Sequence, residues 1–225
     1  MTFGGHLHFS INSDLSIMQT GFTALQCGSA NYMGVEDGDY KYMINDTNMF
    51  DRDNVRTGYL VQVDQAGCVR ILRLNFGLEG QIKEPFELIA PQDDGSHLLK
   101  YTWDRGDSNH NEAPVLTEDA ITVTDNGDQV TADQALKVNL TFRAATDDDQ
   151  VHNYAITIRE DDRIIECERV LADFYKVLQP EDMDKEWSLT LDENKYYKGH
   201  TYEIMLVAGD DWGTASNIVK YIYAP

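Results

Sequence analysis

With 225 residues, 42% of them apolar, the chain is long enough for one large domain or two ordinary ones with filled cores. Its formal charge of −21, from 39 acidic against 18 basic residues, creates a field that repels nucleic-acid backbones, so nucleic acid is not an expected partner. No run of about 18 apolar residues occurs, and Met1 to Phe9 lacks the basic start and apolar stretch of a signal peptide, so no membrane partner is expected either. The three cysteines, Cys27, Cys68 and Cys167, are odd in number and far apart, which reads as buried free thiols rather than a disulfide framework.

Along the chain, period-two alternation dominates. Tyr59, Val61 and Val63 alternate with Leu60, Gln62 and Asp64, Gln65-Ala66-Gly67 turns the chain, and Val69, Ile71 and Arg73 resume the pattern, which predicts a hairpin. Ala90 to Ser96 and Asp104 to Pro114 are polar and punctuated by Gly and Pro, so a boundary is expected near 85–115, with a linker over 86–114. Three more alternating segments follow: Leu136 to Phe142, Tyr154 to Ile158 and Tyr202 to Ala208. Between the second and third of these, Val170 to Leu178 is the one stretch that predicts a helix, stopped by Pro180. Ile218 to Tyr223, rich in β-branched and aromatic residues, predicts a closing strand.

Chemistry is concentrated at the start. Two histidines one residue apart on a turn can present imidazoles to two neighbouring ions, and the glycines before them let the backbone come close. Gly4-Gly5-His6-Leu7-His8 resembles the closing metal motif of calcineurin-like metallophosphoesterases, and the continuation through Ser16-Ile17-Met18-Gln19-Thr20-Gly21-Phe22-Thr23 resembles bacterial members over roughly residues 3 to 80. The resemblance implies a mainly β architecture in which residues 1–85 supply part of a metallophosphoesterase β-sandwich. It implies that His6 and His8 are metal ligands for Zn, Mn or Fe, and that the substrate of the intact enzyme is a phosphate ester. The family's other ligand motifs precede this one, whereas only five residues precede His6 here. The expectation is therefore a phosphoesterase fragment that is inactive alone, with a missing N-terminal half or a homodimer closing the bare apolar faces. Phe22, Leu25, Leu60, Val61, Val63, Val69, Ile71 and Leu72 are the side chains expected to be bare. Any export signal would lie upstream; the resemblance allows a periplasmic or secreted protein.

From 115 to 225 the short strands fit a β-sandwich, and Gly199 to Ile204 followed by Val207 to Gly213 resembles the sixth strand and exit loop of fibronectin type III-like domains, with Tyr202 as the corner tyrosine. Such a fold would bring Asp147-Asp148-Asp149 and Asp210-Asp211 to one pole, as a solvated rim or, with more ligands, a calcium site. Trp212 reads as packed against its own domain rather than as a sugar platform, Asn45-Asp46-Thr47-Asn48 as a solvated turn and Arg105-Gly106-Asp107 as chance. His97, His110, His152 and His200 are isolated, with no ligand spacing between them. The alternative function is a non-catalytic sandwich module that binds carbohydrate, protein or calcium.

Overall fold

The computed structural model describes residues 1–5, 10–28, 56–90, 96, 98–127 and 131–225. The protein is mainly β and divides into two compact units. Unit 1 comprises Met1–Glu112 with Asp173–Met183, and unit 2 comprises Ala113–Ala172 with Asp184–Pro225.

Unit 1 holds two three-stranded sheets. In the first, β1 (Thr2–Gly4) lies parallel to β3 (Thr23–Gln26), and β2 (Ile17–Gln19) runs antiparallel to β3 on its other side. The second is an antiparallel meander of β4 (Thr57–Val63), β5 (Val69–Asn75) and β6 (Gly80–Leu88). The expected hairpin is β4–β5, and Asp64 closes its turn by accepting from the Ala66 and Cys68 amides. The two sheets share a core of Ile17, Leu25, Ile71 and Phe86, with Tyr59, Val69, Leu88 and Tyr101 packed against it. This corrects part of the expectation of bare faces: Leu25 and Ile71 are buried between these sheets, whereas Phe22, Leu60, Val61 and Val63 are exposed. The stretch read as linker is partly held, because the amides of Lys100 and Tyr101 both donate to Gln19 Oε1 and Gln19 N donates to Tyr101 O at 2.6 Å.

Unit 2 is a seven-stranded β-sandwich. One sheet has the order β11-β8-β7, from β7 (Ile121–Asp125), β8 (Val138–Arg143) and β11 (Glu186–Thr190). The other has the order β10-β9-β12-β13, from β9 (Val151–Glu160), β10 (Arg163–Leu171), β12 (Tyr202–Asp210) and β13 (Val219–Tyr223). The strands within each sheet are all antiparallel. Strict alternation of buried and half-buried residues along β12 explains why its sequence was so readable: one face meets the opposite sheet and the other does not. Phe142 on β8 meets Tyr154 on β9 with ring centroids 4.9 Å apart, which joins the two sheets through their inner faces. The Tyr202 hydroxyl accepts from the Tyr197 amide at 2.8 Å, the tie to upstream backbone that a tyrosine corner makes.

Two readings are corrected here. Val170 and Leu171 are not helical, because they pair with Tyr154 and Asn153 on β9 and their backbone groups belong to that ladder. What remains before Val177 is a single 3-10 turn, Asp173–Lys176. The cysteines are free but not uniformly buried, since Cys167 is exposed on β10 and Cys27 and Cys68 are half-buried.

Candidate functional site

Strand β1 delivers the chain to Gly5, directly before the motif, and is held in place by β3 and by the Cys27 amide, which donates to Gly4 O at 2.7 Å. His6 and His8 themselves lie outside the described residues, as do Asn45 to Asn48 and His97. The chain is described again from Ser10, and there it enters a tightly held segment.

Ile11, Asn12, Ser13, Ser16 and Ile17 are all buried. Ser13 caps the 3-10 turn Asp14–Ser16 by accepting from the Leu15 amide at 3.2 Å. Arg73 reaches this segment from β5: its Nη1 donates to Asp14 Oδ1 at 2.7 Å and to Ile11 O at 3.4 Å, its Nη2 donates to Glu84 O, and its guanidinium lies 4.2 Å from the Phe86 ring centroid. Lys83 Nζ is 3.7 Å from the same Asp14 oxygen. Arg105 adds bonds from Nη1 to Asp14 O and from Nη2 to Ile17 O. Burial acts to raise the Asp14 carboxyl, but Lys83, Arg73 and Arg105 outweigh it and hold the group below the usual carboxylate range. The segment that leaves the histidine motif is therefore anchored by three cations.

None of these anchoring residues was singled out from sequence. One signal was present: Ile71, Arg73 and Asn75 share the inward face of β5, and an arginine at an inward period-two position must find an acceptor. Arg105 was set aside as part of a chance tripeptide, and its role is structural.

The other candidates do not converge. His110 Nδ1 lies 3.0 Å from Asp104 O, His152 Nδ1 3.1 Å from Asn153 Nδ2, and His200 Nδ1 2.5 Å from Glu160 Oε1, each in a separate surrounding. At the pole of unit 2, Asp210 caps its own turn by accepting from Thr214 N at 2.7 Å, and Asp211 Oδ2 accepts from the buried Gln150 amide group at 2.8 Å. Both Asp147 oxygens are shielded from solvent. Burial, aided by the charges of Asp210, Asp148 and Asp149, pushes the Asp147 carboxyl up to about 6. Trp212 is half-buried.

Among the described residues, no group of three or more His, Cys, Asp or Glu side chains is placed to hold a metal ion. No helix among the described residues is long and apolar enough to cross a membrane. No protein-family model matches the chain, and no curated protein matches it.

Proposed function

We propose that the chain is the C-terminal part of a calcineurin-like metallophosphoesterase, carrying its closing histidine motif, followed by a fibronectin type III-like sandwich. What supports this reading is the order along the chain: β1 ends at Gly4, just before Gly5-His6-Leu7-His8 in sequence, and a buried, cation-anchored segment begins at Ile11. A metal-ligand loop needs such mounting at both ends, because imidazoles must be held close to their productive geometry.

Within the intact site, His6 and His8 would each give an imidazole to Zn, Mn or Fe, and the family's remaining ligand motifs do not occur in these 225 residues. A metal pair there supplies charge for the phosphoryl oxygens and an activated water. The role of this chain's own residues is narrower: His6 and His8 bind, and Asp14, Arg73 and Arg105 fix the backbone that follows them.

Zn²⁺ titration of the full chain, followed by the imidazole resonances, tests the reading. His6 and His8 are expected to shift while His110, His152 and His200 do not, and the chain alone is expected to leave p-nitrophenyl phosphate and its bis ester unhydrolysed. Unshifted His6 and His8 would overturn the assignment. Robust turnover that disappears in His8→Ala would show that the chain holds a complete site.

A further inference from the structure

The β4–β5–β6 meander carries a cleft of its own, of about 430 Å³, at the end where the β4–β5 turn and the exit of β6 lie side by side. That volume falls within the roughly 300–1,000 Å³ of small-molecule sites.

The strand register explains its lining. Arg70 on β5 stands opposite Gln62 on β4 and opposite Glu87 on β6, so an amide, a guanidinium and a carboxylate form one row across a single face of the sheet. Val69 and Ile71, on either side of Arg70, face the core instead. Asp64 also lines the cleft, but its Oδ1 accepts from the Ala66 and Cys68 amides and its charge is committed to the turn. Cys68 closes one side, with Sγ accepting from Ala90 N at 3.5 Å. Ile89, 37% exposed, and Val63, 66% exposed, leave aliphatic surface in the same cleft.

Arg70 and Glu87 are cross-strand neighbours of opposite charge, an arrangement that favours an ion pair, yet among the described residues neither makes one. Both heads are open to a ligand, and charge decides which ligand suits them. A bare carboxylate drawn to Arg70 would meet Glu87 beside it and a chain of −21 around it, whereas a bare amine drawn to Glu87 would meet Arg70. A zwitterion answers both heads and carries no net charge into the acidic field. An α-amino acid holds its two charges on one carbon, which suits heads rooted on directly opposite residues, about 5 Å apart at Cβ.

We propose that this cleft binds an aliphatic α-amino acid as its zwitterion. The carboxylate lies on Arg70 and Gln62, the ammonium on Glu87, and the side chain against Ile89 and Val63. The site is independent of the phosphoesterase reading.

The test uses the full chain, with L-leucine as probe and two analogues that each carry one charge: isocaproate, which lacks the ammonium, and isoamylamine, which lacks the carboxylate. Leucine is expected to give saturable shifts of the Gln62, Arg70 and Glu87 amide resonances. Its affinity is expected to fall about tenfold in Arg70→Gln and in Glu87→Gln, and each analogue to bind the parent chain about tenfold more weakly than leucine, since each change removes one charge-assisted contact. Both side chains are exposed, so both variants are expected to melt with the parent chain. No saturable shift with leucine up to its solubility would overturn the site. Equal leucine affinity in the parent and both variants would overturn the role of the charged row, and an analogue that binds as tightly as leucine would overturn the zwitterion.

Discussion

Asp14 in unit 1 and Asp147 in unit 2 are both carboxylates drawn back from water, and their surroundings are opposite. Asp14 faces Arg73, Lys83 and Arg105, whereas Asp147 faces Asp210, Asp148 and Asp149. The same side chain is therefore a structural anion in one unit and a strained one in the other. Desolvation acts against both charges, and what differs is whether a cation compensates. In a chain of −21, cations are the scarce component, and three of the 18 are gathered around the turn that follows His8.

The largest test of this contrast is Arg73→Met, which keeps the stem over Phe86 and removes the charge. Loss of a buried ion-pair partner destabilises by about 3–5 kcal/mol, and since Asp14 retains 29% side-chain exposure the lower figure, about 3 kcal/mol, is expected by denaturant unfolding. The pH dependence has a definite sign. A depressed carboxyl contributes stability that is present above its ordinary value near ~4 and lost as pH falls through its lowered value, so the parent and Arg73→Met should converge in acid. A constant difference down to pH 2 would mean that Arg73 acts through packing alone.

Next in size is Tyr202→Phe. It leaves the Tyr197 amide without its acceptor while keeping the ring beside Tyr196, and about 1–2 kcal/mol should be lost from unit 2. No change in melting would show that water replaces the hydroxyl and that the corner is incidental.

Asp147→Asn should act in the opposite direction from the arginine change. A raised carboxyl contributes stability that is complete below its ordinary value and lost as pH climbs through about 6, so at neutral pH the ionised group works against the fold. With screening at a half-buried position, a gain on the order of 1 kcal/mol is expected at pH 7, vanishing near pH 4. Equal melting of the two proteins at pH 7 would show that the pole tolerates its charge.

The smallest expected effect concerns the exposed side of unit 1. Leu60, Val61 and Val63 lie on β4, which among the described residues is an edge strand and carries no charged residue, and such edges pair with other chains. Sedimentation should show self-association that weakens in Leu60→Lys. A parent chain that is monomeric at all concentrations would remove the homodimer expected from sequence.

Much of this was legible beforehand because strands advertise themselves. Tyr202, Ile204, Leu206 and Ala208 alternate, and each is buried on one face of β12. Val170 to Leu178 misled because its composition suits a helix, while the ladder with β9 and the docking at Asn12 and Lys83 are set by residues far away in sequence. Two of the eight supposed bare residues, Leu25 and Ile71, proved to be core, since periodicity tells which residues share a face and not what covers it. The anchoring of the Asp14 turn was hidden for a related reason. Arg73, Arg105 and Asn12 are ordinary residue types, and only the fold brings them to one turn.

The return of residues 173–183 to unit 1 has a consequence for synthesis. Unit 1 has almost all of its chain by Glu112, yet Val177 and Leu178 emerge only after β7 to β10 have been made. At about 5–20 residues per second, those roughly 70 residues occupy several seconds of translation. For that interval Asn12 Nδ2 and the Lys83 amide lack the carbonyls of Val177 and Leu178, and unit 1 is completed only after more than half of unit 2 has been made.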